Sequence, residues 1–413
     1  MSKFVKLSSI AELTVGFVGT MAKHYEDEGI PFLRSLNIKP FKIIGDDMKY
    51  VSAEFSNSLS KSILHKGDVV IVRTGIPGTC CVVPAEYDGC NCSDVVIVHP
   101  NTELVNPHYL AAYINVWGQR QIANNKVGAI QQHFNVHSAE EMLIFLPDIT
   151  EQEKIAKMIF ALNGKIENNT SVCAKLESMT KTLYDYWFTQ FDFPDENGKP
   201  YRSSGGEMVW NDQLNREIPK GWVIGAVSDL MKIENTSVNP QKLGNTVMEH
   251  YSIPAFDTDH NPAYEEANTI ESGKYSVDPE CILTSKLNPH FKRLWDPYCD
   301  TKNAICSTEF IVYRPRAAWT RPFCYAVLNS DAFYTHMAGK AISSTGSRKR
   351  IQPDVSASFV LAIPDNKTMR AFVELYAPIM EKQKALYKEN RELAKLRDWL
   401  LPMLMNGQAV VSD

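Results

Sequence analysis

The chain carries the same long pattern twice. LPDITEQEKIAKMIFALNGKIENN begins at Leu146, and IPDNKTMRAFVELYAPIMEKQKAL begins at Ile363, an offset of 217 residues. Identity is low, but the order is the same: an apolar residue, Pro-Asp, a polar turn, then a long amphipathic run. In the first copy a 4-3 spacing picks out Ile155, Ile159, Leu162, Ile166, Asn169, Cys173, Leu176, Thr180, Leu183 and Trp187. The same offset gives Phe372, Tyr376, Ile379, Gln383, Leu386, Asn390, Leu393, Arg397, Leu400 and Leu404. A 3.5-residue apolar repeat held over many turns describes the seam of a coiled coil rather than an ordinary surface helix. Each run covers about 39 residues, roughly 58 Å of helix at 1.5 Å per residue. Two such stripes in one chain are able to bury each other. Asn169 and Asn390 interrupt the seam, where a polar residue lowers stability and fixes register. Pro147 and Pro364 mark the helix starts, with Asp148, Thr150 and Asp365 available as caps.

The segments before each helix also correspond. KGDVVIVRTG (66–75) matches DPECILTSKLNP (278–289), and DVVIVHP (94–100) matches TEFIVYRP (308–315). HYLAAYINV (108–116) matches FCYAVLNS (323–330). Residues 192–221, rich in Gly, Pro, Ser and charge, break every periodicity and read as a linker. The expected fold class is α+β: two tandem mixed α/β domains, each followed by a long helix, the helices pairing as an antiparallel coiled coil. The expected boundaries are a first domain at 1–147, a helix at 148–191, a linker at 192–221, a second domain at 222–364, a helix at 365–407 and a tail at 408–413.

Familiar catalytic signatures are missing. The chain has no G-x-G-x-x-G opening a helix, no P-loop, no G-x-S-x-G and no H-E-x-x-H. Asn-Pro-His at 106–108 and 288–290 lacks the second Pro and the aromatic ring of an amino-methyltransferase's Asn-Pro-Pro-Tyr. The nine cysteines form no C-x-x-C pair and the ten histidines do not pair at metal spacing, so structural thiols and no metal site are expected. No run approaches a membrane span, and the start has no uninterrupted apolar core of a secretory signal, so the cytoplasm is the expected compartment. A binding protein without cofactor is the reading.

Net charge is −5, which argues against coating nucleic acid by bulk charge. Local charge differs. Leu104 to Ala139 contains no Asp or Glu and carries His108, Arg120, Lys126, His133 and His137 with Gln119, Gln121, Gln131 and Gln132. The corresponding window, Ala332 to Pro353, also lacks acids and carries Lys340, Ser347, Arg348, Lys349 and Arg350. Arg73 and Thr74 add a polar loop to the first half; Lys286, Asn288, His290, Lys292 and Arg293 add one to the second. Cations fit phosphates, and Gln or Arg side chains pair bidentately with purine edges. Candidate DNA contacts are therefore Arg73, Thr74, Lys126, Gln131, Gln132, His133, Lys286, Asn288, His290, Arg293, Ser347, Arg348, Lys349 and Arg350. Two readers on a helical spacer would meet two half-sites of duplex DNA. The alternative reading is a non-catalytic protein-interaction scaffold: two binding globules on a coiled coil.

Over essentially its full length the sequence resembles the specificity subunits of type I restriction-modification systems. The resemblance is carried by GIPFLRSLNI (29–38), FLPDITEQEKIAKMIFALNGKIENN (145–169), LYDYWFTQF (183–191), IPKGW (218–222), HYSIPAFD (250–257), ILTSKLNP (282–289), SSTGSRKRIQPD (343–354) and LAKLRDWLLPMLMNG (393–407). It implies two target-recognition domains joined by spacer helices, recognising a bipartite, asymmetric duplex site. It implies as partners double-stranded DNA, two modification (methyltransferase) subunits and ATP-dependent restriction subunits. S-adenosylmethionine, ATP and Mg would belong to those partners. The second helix start, IPDNKTMRAF, departs from the pattern by lacking the first helix's Glu-Gln-x-x-Ile.

Overall fold

The structure, a computed structural model, describes residues 3–118, 121, 134–345, 348–409 and 411. The chain divides into two units, Met1–Glu167 with Glu392–Asp413, and Asn168–Arg391. Each contains one α/β domain, part of the first long helix (Ile149–Tyr184) and part of the second (Asn366–Met405).

In the first unit, Lys3–Lys6 pairs antiparallel with Leu143–Leu146, tying the two ends of the domain together just before the long helix. A four-stranded sheet runs in the order Ala11–Val15, Val95–Pro100, Val69–Val72, Cys80–Val82. Its central strands are apolar on both faces because both faces are covered. Alternation sends Val69, Ile71, Val96 and Val98 into one cluster with Tyr109, Ile155 and Leu404. It sends Val70, Val72, Val95 and Ile97 into another with Leu33 and Cys92. A smaller sheet orders Lys49–Val51, Ile30–Leu33 and Asn91–Cys92.

The second unit repeats the plan. Val223–Ala226 pairs antiparallel with Val360–Ile363. Its four-stranded sheet has the equivalent order, Met231–Ile233, Phe310–Pro315, Ile282–Ser285, Leu294–Trp295. Ile282, Ile311 and Tyr313 face one cluster, and Leu283, Phe310 and Val312 face the other. A five-stranded sheet carries the additional strands of this half. The matched sequence segments thus occupy matched strands.

The helix starts are capped as the sequence suggests. Asp148 Oδ1 accepts from the Glu151 N–H at 2.9 Å, and Asp365 Oδ1 accepts from the Lys367 and Thr368 N–H groups at 2.8 and 3.0 Å. Gln152, fully buried, donates to the carbonyls of Leu104 and Pro147 and accepts from the Asn106 N–H. This is what the Glu-Gln signature does: it fastens the helix start to the loop before Pro107. The position 217 residues later is Met369, buried in an apolar cluster, so the second helix needs no such clamp and shows no such motif.

The two long helices pair within each unit. In the second, Asn169 and Cys173 meet Asn390 and Gln383, while Tyr184 meets Phe372. In the first, Arg397 Nη1 donates to Asn163 Oδ1 at 2.9 Å. Of the seam positions, Ile155, Ile159, Asn169, Phe372, Tyr376 and Leu386 are buried. Leu162, Ile166, Leu176, Leu183, Ile379, Asn390, Leu393 and Leu400 are half-buried. Phe372 packs against the rings of Tyr184, Trp187, Phe188 and Phe323, with centroids 4.8 to 6.5 Å away. Truncating a side chain so placed costs about 3–5 kcal/mol.

Residues 192–221 are more ordered than a composition-based linker suggests. Met208–Asn211 and Arg216–Pro219 form a hairpin. Phe193 stacks on Trp222 at 5.1 Å and on Tyr201 at 4.7 Å, and both Phe193 and Ile218 are buried.

Candidate nucleic-acid interface

In the second unit the basic triplet is one strand of a hairpin. Ile342–Thr345 pairs antiparallel with Arg348–Arg350, with a register irregularity between Ser343 and Thr345. A third segment, from a loop distant in sequence, lies along its other edge. The Asn288 N–H donates to the Lys349 carbonyl at 2.7 Å, and the Lys349 N–H donates to Asn288 Oδ1 at 2.9 Å. The Ile351 N–H donates to the Lys286 carbonyl at 3.1 Å. Asn288 sits at φ 47°, a left-handed conformation Asn tolerates, which turns the chain so that side chain and backbone grip the same residue. Two loops that the sequence offered separately are therefore brought together.

The cations are not equivalent. Arg350 is held by Glu309, through Nη2 to Oε1 at 2.9 Å and Nε to Oε2 at 3.1 Å; that bond raises its pKa further. Arg293 makes a bidentate pair with Asp257 at 2.7 and 2.8 Å. Both were expected as DNA contacts, and both have carboxylate partners that sequence distance conceals. Arg348 and Lys349 are exposed, with no ion pair among the described residues. Lys286 is half-buried and His290 exposed.

Sequence reasoning passed over Phe291. It is 53% exposed between His290, whose ring lies 4.2 Å away, and the Arg293 guanidinium at 5.1 Å. A lone aromatic residue inside a cationic loop was the available signal. Lys292, by contrast, turns inward, with its ammonium 5.7 Å from the Tyr334 ring centroid.

In the first unit, Arg73 Nε donates to the Phe134 carbonyl at 3.1 Å and Thr74 lines a cleft of about 560 Å3. Tyr25, Arg34, Lys39 and Asp94 share that cleft. Arg34 is paired with Asp47 at 2.9 Å, while Lys39 and Lys42 are exposed at a hairpin whose turn holds Phe41 at φ 70°. GIPFLRSLNIKP already contained Arg34 and Lys39 within an acid-free run, residues 29–45, and that run was the available signal. Gln121 bonds the backbone of Leu143 in both directions, and His108 meets the Phe160 ring edge-on at 5.5 Å, with burial lowering its pKa; neither is a free reader. Lys126, Gln131, Gln132, His133 and Ser347 lie outside the described residues. Among the described residues no group of three or more His, Cys, Asp or Glu is placed to hold a metal ion.

A family model described as the type I restriction modification DNA specificity domain matches residues 2–178. The type I restriction enzyme MjaIX specificity subunit of Methanocaldococcus jannaschii is 25% identical over 66% of this chain and 62% of its own length. The type I restriction enzyme HindI specificity subunit of Haemophilus influenzae is 23% identical over 87% of this chain and 91% of its own. The chain is a homologue of the type I specificity subunits. The alignment with MjaIX spans less than two thirds of that subunit. The crystal structure of a type I restriction-modification system S subunit from M. genitalium has the same fold, with a TM-score of 0.57 at 12% identity over 98% of this chain and 96% of that one. The matched region takes in the first α/β domain and most of the first long helix.

Proposed function

We propose that this chain is the DNA sequence-specificity subunit of a type I restriction-modification complex. It recognises a bipartite, asymmetric duplex site and directs partner methyltransferase and endonuclease subunits to it. The observation that carries this reading is the duplicated domain plan with differently charged reading edges: the Arg348-Lys349 hairpin in one unit, the Thr74 and Lys39 edge in the other. Homology to subunits named for specificity supports it.

In this reading each domain, 1–147 and 222–364, reads one half-site. Exposed cations meet phosphates and polar side chains meet base edges. The long helices form an antiparallel coiled coil that sets the spacing between half-sites. Two modification subunits dock on the helices, where Phe160, Met179, Leu375 and Trp399 are exposed apolar side chains. Restriction subunits join through them. Methyl transfer and ATP-driven steps, with their S-adenosylmethionine, ATP and Mg, belong to those partners, and the assembly works in the cytoplasm. Methylome sequencing of a host expressing this chain with its modification subunit tests the reading. A split motif with a fixed spacer is expected; a methylome unchanged by removing this chain would overturn it.

A further inference from the structure

The second unit holds a cavity of about 330 Å3 that lies apart from the basic hairpin. Its walls come from the two long helices, from the helix Ile253–Asp259 with His260, and from the strand Leu294–Trp295. Rings dominate the lining: Phe256, His260, Trp295, Tyr325, Tyr376 and Tyr387. A ring-lined space of this size, carrying a few convergent polar groups, has the character of a small-molecule site.

The charged groups divide into paired and unpaired ones. Lys384 is paired with Asp296 at 3.2 Å, and Asp296 also receives Arg321. Lys292 and Glu177 line the same cavity, yet among the described residues neither has an ion-pair partner, and none joins them to each other. Burial lowers the Lys292 pKa, and Glu177 opposes that by attraction. Trp295 is 3% exposed, and its Nε1–H is buried without an acceptor. Two carboxylates and two ammonium groups leave the lining neutral overall. That balance disfavours a ligand of net charge and suits one that carries both signs.

We propose that this cavity binds a small zwitterion bearing an aromatic ring, of the chemical class of an aromatic α-amino acid. The ligand carboxylate meets the Lys292 ammonium, its ammonium meets the Glu177 carboxylate, and its ring lies between the aromatic walls. The site is independent of DNA recognition and stands or falls separately from it.

Calorimetric titration of the full chain, with its modification subunit present if solubility requires it, uses L-phenylalanine as probe. Phenethylamine, without the carboxylate, and 3-phenylpropionate, without the ammonium, are the comparison probes. Saturable binding of L-phenylalanine is expected, with each analogue weaker by about tenfold or more. Lys292→Met should remove the preference over phenethylamine, and Glu177→Gln the preference over 3-phenylpropionate. Glu177 is exposed on a helix, so Glu177→Gln should keep the parent's melting temperature without ligand. No saturable heat with L-phenylalanine, equal binding of all three probes, or binding indifferent to both substitutions would overturn the proposal.

Discussion

Asn169 donates its side-chain Nδ2–H to Asn390 Oδ1 at 2.9 Å, from one long helix to the other. Asn169 is 1% exposed, and the same amide reaches Glu389 Oε2 at 2.9 Å. Asn390 returns a bond to Thr170 Oγ1 at 3.3 Å. A polar pair in an apolar seam is satisfied only in one register, so it trades stability for alignment. Asn169→Leu removes the donor to Asn390 Oδ1 and should lower unfolding free energy by about 0.5–1.5 kcal/mol. Asn169→Leu with Asn390→Leu should recover part of that loss, with a coupling energy of roughly 0.5–3 kcal/mol. Urea denaturation of the four proteins measures it; strict additivity would show that the pair does not act together.

Two His–carboxylate pairs predict opposite pH behaviour. His99 Nδ1 lies 2.8 Å from Asp68 Oδ1, and that hydrogen bond raises its pKa despite partial burial. Its contribution is fully present below the unfolded value of about 6.5 and is lost as pH rises through the raised folded pKa. His250 is bonded to Glu265, which pulls its pKa up, but the cost of burying the charge is larger and the net shift is downward. Its contribution is present above about 6.5 and is lost as pH falls through the lowered folded pKa. His99→Gln should therefore close the stability gap to the parent as pH rises, and His250→Gln as pH falls. Denaturation midpoints across the pH range, with imidazole titration by NMR, test both signs.

What the sequence made legible was what repeats locally. The two long helices and the caps at Asp148 and Asp365 follow from spacing and from residue type at a turn, both readable within one window. The counter-charges were not. Glu309 meets Arg350 from 41 residues away and Asp257 meets Arg293 from 36, distances no window spans. The pairing of Asn288 with Lys349 is of the same kind: two loops look alike in sequence whether or not they touch. Composition misdirected the reading of 192–221 for a different reason. Gly, Pro and Ser supply the turns of a hairpin as readily as the freedom of a linker, and the anchoring rings at Phe193, Tyr201 and Trp222 are too sparse to show a period.

Those rings give the third prediction. Trp222 is buried at 7% exposure, against Phe188, Phe191 and Phe193. Asp192 accepts from both the N–H and the hydroxyl of Ser203 at 2.7 Å, closing the segment on itself. Trp222→Ala should cost about 3–5 kcal/mol, and replacing 192–221 by a Gly-Ser tract should also destabilise. A urea midpoint unchanged by the tract would mean that the segment is only a tether.

The basic hairpin separates contact from support. In the complex with its modification subunit, Arg348→Ala and Lys349→Ala should each weaken DNA binding and reduce the slope of log affinity against log salt by about 1. Arg350→Ala removes a half-exposed pair with Glu309, worth about 0–1 kcal/mol to stability, and should leave the slope nearly unchanged. Fluorescence anisotropy at several salt concentrations distinguishes them. Equal slopes for all three variants would move the hairpin off the DNA, towards the scaffold reading.

The proposed spacer makes the last prediction. Seven residues are close to two helical turns, so a heptad added to both long helices keeps the apolar stripes facing each other. Placing the insertions after Asn169 in one helix and before Asn390 in the other preserves that pair and lengthens the stretch between it and the second domain. Each insertion adds about 10.5 Å at 1.5 Å per residue, which is about 3 base pairs at 3.4 Å each. Methylome sequencing should then return the same two half-sites with a spacer about 3 base pairs longer. Insertion into one helix alone shifts its stripe past the other's and should abolish modification through misfolding. An unchanged spacer in the doubly extended protein would show that the helices do not measure the distance between half-sites.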